Sequence, residues 1–245
     1  MKKDTIKNKN SVVIELNKIS KKYILHHEKP TLTENIFSRR RNEEFWALKD
    51  INLTIYKGDR VGIIGENGSG KTTLLEIIAG ITTPTQGSVI TNGRIVSLIE
   101  LEAGFHPELT GEENIYLNGH LAGMSNPEID ANFAKIISFA DIGEFIDAPF
   151  YTYSEGMKLR LGFSIVAHTN PDIVLLDENL AVGDKEFAKK SHKKIQEFIK
   201  KGTTLVIVSH WMQLLKEKCN RIFWLDKGRV KKTGDINLID KYAGK

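Results

Sequence analysis

Eight residues constrain this chain more than any others. Gly65-Glu66-Asn67-Gly68-Ser69-Gly70-Lys71-Thr72 fits the pattern G-x-x-x-x-G-K-[ST]. It stands between a short apolar run, RVGIIG, and a stretch with apolar residues at helical spacing, TLLEIIAGI. A buried strand that turns through glycines into a helix gathers outward-pointing backbone N–H groups at one spot. Glycines let the backbone curl around phosphate oxygens, and the start of the helix adds its own N–H groups. Lys71 then places a cation on the β- and γ-phosphates, and the Thr72 hydroxyl is a hard-oxygen ligand for magnesium. Asn67, Gly68, Ser69, Gly70 and Thr73 complete the cradle. The bland alternative is a glycine-rich turn joining strand to helix. The motif implies nucleotide binding but not what the nucleotide is used for.

The rest of the chain must supply the surrounding sheet. At 245 residues, 40% hydrophobic and 27% charged, it suits one large domain or one domain with a lobe. The formal net charge of +4 is too small to argue for nucleic acid, and is compatible with an acidic membrane surface nearby. Cys219 is the single cysteine, so no internal disulfide forms, as expected in a reducing compartment. No apolar run reaches the roughly 20 residues that span a bilayer. Residues 1–10 are basic without a following apolar stretch, which predicts a flexible tail rather than a signal peptide.

Patterning along the chain predicts an α/β fold. VVIEL (12–16) reads as a strand, and ALKDINLTI alternates as an antiparallel strand does. Residues 26–45 read as a polar, charged insertion. SVITNGRIVSLI carries an Asn-Gly between apolar runs, a hairpin signal. From about 103 to 165 the helical patterns GEENIYLNGHLAGM and PEIDANFAKIISFADI follow each other with no strand between, which predicts an inserted helical subdomain. DIVLLDE and TLVIVSH are nearly continuous apolar strands of the kind covered on both faces in a parallel sheet. A long polar helix separates them, and RIFWLDKGRV closes with a Lys-Gly turn.

Two strand ends carry chemistry. Asp177 ends the first apolar strand, where an acid holds magnesium beneath a phosphate loop. Glu178 follows it and is placed to polarise a water for attack on the γ-phosphate; the alternative is a cap for the next element. His210 ends the second strand, within reach of a γ-phosphate and the attacking water. A third feature is YSEGM at 153–157. Met157, Leu159, Leu161, Phe163 and Ile165 alternate like a strand, yet Met157, Leu161 and Ile165 also repeat every four like a helix. The period leaves it undecided.

The order phosphate loop, helical lobe, YSEGM, metal strand and switch histidine resembles the ATP-binding subunits of ABC transporters over nearly the whole chain. The resemblance implies a phosphate-loop NTPase core with a parallel sheet, an N-terminal antiparallel β part, the inserted lobe, and ATP with magnesium as cofactors. In that family the signature L-S-G-G-Q opens a helix. Ser154 and Gly156 match its second and fourth positions, while Tyr153, Glu155 and Met157 depart from it. Each signature closes over the ATP held by a partner, so the resemblance implies a homodimer with two composite sites. It also places Tyr23, or alternatively Phe45 or Trp46, on adenine. Glu100 stands nearest to the loop glutamine that ligands magnesium in the family, and Gly183-Asp184 in the loop that exchanges contacts across the dimer.

FWALKDINLTI, LIELEAGFHPELTGEENIYLNG, YSEGM and LDENLAVGDKEF look like one subgroup, the ATPases that export lipid-linked polysaccharides such as O-antigens, capsules and teichoic acids. That similarity implies an integral membrane permease as partner and a peripheral position on the cytoplasmic face of the inner membrane. It implies no nucleic acid and only indirect contact with the glycan. The chain stops soon after DKYAGK, leaving no room for the carbohydrate-binding domain of some members. Arg39, Arg40 and Arg41, with Ile36 and Phe37, are then expected to face the permease and the anionic leaflet, against the plainer reading of a solvated loop. A soluble phosphoryl-transfer enzyme, a soluble ABC protein and an ABC exporter of another substrate are the rival readings.

Overall fold

A computed structural model describes residues 11–25, 43–99, 101, 103–177 and 184–244. In chain order the elements begin with β1 (Val12–Leu25), β2 (Glu43–Tyr56), β3 (Arg60–Ile64), α1 (Lys71–Ala79), β4 (Gln86–Thr91) and β5 (Ile95–Ser97). The helices α2 (Gly111–Leu121), α3 (Asn126–Ala140) and α4 (Glu155–His168) follow. The chain ends with β6 (Ile173–Leu176), α5 (Lys185–Lys200), β7 (Thr204–Val208), α6 (Met212–Lys218), β8 (Arg221–Asp226), β9 (Arg229–Gly234) and α7 (Leu238–Ala243).

Two sheets result. β2-β1-β4 is antiparallel, and β5-β6-β7-β3-β8-β9 is parallel except for its last pair. The apolar strands of the second sheet are buried on both sides, as their lack of alternation predicts. Ile173, Leu175, Val206 and Val208 face the first sheet and α1, where they join Ile14, Leu48, Val61 and Leu74. Val174, Leu176, Leu205 and Ile207 face the other way, onto Phe163, Phe187 and Phe198. Each such side chain contributes about 1.5–3 kcal/mol by leaving water.

The helical lobe has a core of its own, built on Ile115, Ile129, Ile136, Phe150, Tyr153 and Leu161. Its first helix begins with a reciprocal cap. Thr110 Oγ1 accepts from the Glu113 N–H at 3.2 Å, and the Glu113 carboxylate accepts from the Thr110 N–H at 2.8 Å.

Three expectations change. The first strand does not stop at Leu16. It continues to Leu25 through bulges, with Lys18 at φ 50, so Tyr23 lies within β1 rather than after it. Asn92-Gly93 is not a hairpin. β4 pairs with β1 and β5 with β6, so the dipeptide carries the chain from one sheet to the other. Gly93 does take the left-handed conformation (φ 106), and a Cβ there would lie 2.7 Å from the Asp172 side chain. The dipeptide does turn the chain, but the strands it joins are not partners. YSEGM resolves to a helix start, since α4 begins directly after Ser154. The predicted tail 1–10 and most of the insertion 26–45 lie outside the described residues, although Glu43, Glu44 and Phe45 belong to β2.

Candidate nucleotide-binding site

The parallel strands end at one edge, and the site is built there. Register fixes the arrangement: Ile63 of β3 lies beside Val208 of β7, and Ile207 beside Leu176 of β6. The phosphate loop leaves β3, Asp177 follows β6, and His210 stands two residues beyond β7. All three therefore meet in one cleft of about 390 Å³, lined also by Phe45, Ala47, Asn67, Gly68, Gly70, Thr72 and Thr73.

Within the loop, Lys71 is buried and its ammonium donates to the carbonyls of Gly65 (2.9 Å) and Glu66 (3.0 Å). Gly70 caps α1 at φ 100 with no side-chain cap bond, and the helical ladder starts from its carbonyl to the Leu74 N–H at 2.9 Å. The first turn of a helix leaves its N–H groups pointing outward, and here they open on the cleft. Ser69 Oγ is buried with no hydrogen-bond partner among the described residues. A buried hydroxyl without a partner costs about 1–3 kcal/mol, which a phosphate oxygen in the loop would offset.

One backbone oxygen packs closely against both the loop and the last hairpin. A Cβ on Gly70 would lie 2.6 Å from the carbonyl oxygen of Ala47 in β2, and a Cβ on Gly228 would meet the same oxygen at 2.6 Å. Gly228 sits in the β8–β9 turn at φ 77. Its N–H donates to the Ser69 carbonyl (3.1 Å), and its own carbonyl accepts from the Lys49 N–H (2.8 Å). β2, the phosphate loop and the last hairpin thus close on one another. In sequence Gly228 was visible only as a Lys-Gly turn; nothing local signals that it touches a loop 160 residues upstream.

The aromatic candidates separate. Phe45 lines the cleft. Tyr23 lies directly across from it in the β1–β2 pair and shares its face, with Lys21 Nζ 5.2 Å from its ring. Trp46, one residue on, faces the other side and lies under Lys22 at 5.6 Å.

Ser154 is not brought to this cleft. It is exposed and caps α4, its hydroxyl accepting from the Met157 N–H at 3.3 Å, and Gly156 behind it is open, with only Ser154 Oγ within 4.0 Å of an added Cβ. Tyr153 belongs to the lobe core. It is buried, its hydroxyl donates to the Phe145 carbonyl at 2.5 Å, and burial pushes its pKa up to about 12.

Sequence reasoning missed Arg160. It projects from α4 to Asp141 (3.7 Å) at the end of α3 and to Asp184 (3.9 Å), which caps α5. Two backbone N–H groups, of Phe187 and Glu186, hold the Asp184 carboxyl below its usual range, and Arg160 adds to this. α4 is thereby linked to the start of α5. Glu178, Glu100 and Gly183 lie outside the described residues.

Comparison with known proteins agrees with this geometry. Residues 48–181 match the family described as ABC transporter. The chain is 43% identical over 234 residues to the O-antigen export system ATP-binding protein RfbB of Klebsiella pneumoniae, covering 93% of this chain and 95% of that one. It is also 43% identical to the teichoic acids export ATP-binding protein TagH of Listeria innocua, over 94% of this chain and 69% of the relative. The dimeric structure of a bacterial ABC transporter cassette superimposes with a TM-score of 0.68 at 25% identity, covering 91% of this chain and 98% of the cassette. A dimeric cassette in a post-hydrolysis state, bound to ADP and phosphate, superimposes at 0.70 with 24% identity, over 91% and 98%. The chain belongs to the ABC transporter family, as an ATP-binding subunit with ATPase activity.

Proposed function

We propose that this ATPase powers export of a lipid-linked envelope polysaccharide, of the O-antigen or teichoic acid class, through a separate membrane permease. The substrate class rests on relatives that match nearly the whole chain and carry those export names. The mechanism rests on the position of Ser154, exposed at a helix start and absent from the cleft of its own chain. An anion site without an anion of its own fits a second copy, whose γ-phosphate it would cover. The active unit is then a homodimer with two composite sites, each a phosphate loop of one copy closed by Ser154 and Gly156 of the other.

The roles follow from the donors. Lys71 and the loop N–H groups hold the phosphates, and Phe45, backed by Tyr23, offers a face for adenine. The Thr72 hydroxyl and the Asp177 carboxylate line the same cleft, and such hard oxygens fit magnesium. When bound, the ion would neutralise charge between the β- and γ-phosphates. Glu178, next after Asp177, accepts a proton from the attacking water. The bond from the γ-phosphorus to the bridging oxygen breaks, and ADP and phosphate leave. His210 steadies the γ-phosphate from the neighbouring strand. Glu100 is proposed as a further oxygen near the metal.

The chain is proposed as one ATP-binding domain, with its lobe over about 103–165. Among the described residues no helix is long and apolar enough to cross a membrane. The subunit is proposed to sit peripherally under the permease, on the cytoplasmic face, without touching the glycan or nucleic acid. Arg39, Arg40 and Arg41 of the 26–45 insertion, outside the described residues, are proposed to face that leaflet. Cells that keep the permease but lack this chain should accumulate unexported lipid-linked glycan, and the wild-type chain should restore its surface display. Normal surface glycan in those cells would refute the reading.

A further inference from the structure

Away from the nucleotide cleft, charge is concentrated on α5 and the residue after it. Residues 185–201 contain seven lysines and two glutamates, a net +5 that exceeds the +4 of the entire chain. One stripe of the helix, Phe187, Ser191, Ile195 and Phe198, is buried. On another face Lys190, Lys193 and Lys194 meet Lys135 of α3 around a concavity of about 580 Å³ floored by Ala134 and Phe139. Four lysines and one carboxylate, Glu197, line it, so positive charge is in excess. Lys194 lies 3.5 Å from Glu197 and Lys135 3.4 Å from the Asn132 amide oxygen. Among the described residues Lys190 and Lys193 have no hydrogen-bond or ion-pair partner.

We propose that the α3–α5 concavity is a second anion site, taking a compact ligand with two or more phosphate groups. Shape and chemistry select that class. The surface is a shallow, open concavity. Its cations are all lysines, compact point charges of the kind that bind phosphate. No ring is free to stack on a base, because Phe139 is already engaged with Phe163 (6.0 Å), Phe187 (5.6 Å) and His168 (5.5 Å). Lys135 belongs to the lobe and the other three to the helix after the metal strand, so a bound ligand joins the two.

A reporter is built in. His168 stands edge-on behind Phe139, with Nδ1 2.8 Å from the Ser164 carbonyl. Burial lowers its pKa, and Lys194 and Lys135 lower it further. An anion that neutralises those lysines raises it.

The test follows the His168 ring by NMR in the full chain, with the nucleotide cleft filled with ADP. One arm titrates tripolyphosphate. The other adds zwitterionic vesicles carrying cardiolipin, whose headgroup bears two phosphates. Tripolyphosphate should give a saturable upward shift in the His168 pKa, weaker at raised salt. Lys135→Gln with Lys193→Gln should weaken binding at least tenfold, and the matching arginine pair should retain it. A response to vesicles alone also supports phosphate recognition and assigns the source to a headgroup. The proposal is overturned if His168 responds in neither arm, responds equally to sulfate at the same ionic strength, or responds in the double glutamine variant with undiminished affinity.

Discussion

Gly228→Ala tests whether the last hairpin braces the phosphate loop. Three effects add. Alanine at φ 77 costs about 1–2 kcal/mol, because its Cβ crowds the backbone in the left-handed region. That Cβ would lie 2.6 Å from the Ala47 carbonyl oxygen, so the turn must retreat by roughly 0.8 Å to reach an ordinary contact near 3.4 Å. Such a retreat stretches the 3.1 Å bond from the Gly228 N–H to the Ser69 carbonyl past hydrogen-bond range, at about 1 kcal/mol. The sum is about 2–3 kcal/mol. Gly202→Ala supplies the control, since Gly202 has φ 79 but nothing within 4 Å of an added Cβ. It carries the conformational cost alone. In a domain of this size 1 kcal/mol moves the melting temperature by about 2–4 °C, so the variants should differ by several degrees. ATP affinity, measured by fluorescent-nucleotide titration, should fall in Gly228→Ala and hold in Gly202→Ala. Equal melting temperatures together with equal affinities would refute the bracing argument.

Glu178→Gln should bind ATP and hydrolyse it about 10²–10⁴-fold more slowly, with an ATP-bound dimer accumulating in size-exclusion runs; near-normal turnover rules the role out. Ser154→Arg and Lys71→Ala should each be inactive alone. Mixed equally, they should recover about a quarter of wild-type ATPase rate if copies pair at random and sites act independently, and confirmed mixed dimers without recovery would exclude a composite site. The lowered pKa of His168 means the fold holds it neutral, so its contribution is fully present above the ordinary value of 6.5 and is lost as pH falls through that value toward the folded one. Between pH 7.5 and 5, wild-type protein should lose more thermal stability than His168→Gln; parallel curves would contradict this.

What could be read beforehand divides along physical lines. The phosphate loop and the buried strands were legible because glycines, a lysine and continuous apolar runs act through neighbours in sequence. YSEGM was not, since its period fits two structures and only the Ser154 cap decides between them. Asn92-Gly93 announced a turn but not the sheets on either side, which depend on pairings with β1 and β6. Phe45 was one of three aromatic candidates until β2 placed it at the cleft. Arg160 and Gly228 were invisible, because their partners lie far off in sequence.

The position of β3 in the six-stranded sheet also sets a timetable for biosynthesis. Its neighbours are β7 and β8, with Arg60 beside Leu205 and Val61 beside Arg221. The phosphate loop therefore emerges from the ribosome about 145 residues before the first strand that flanks it, a delay of roughly 7–30 s at ordinary elongation rates. Until then β3 has apolar faces and open edges, and the loop after it lacks the hairpin that holds it. Strands β7 and β8 and the β8–β9 turn, which flank or brace the loop, are all made after it. The bracing of the phosphate loop is complete only once the Gly228 N–H can donate to the Ser69 carbonyl.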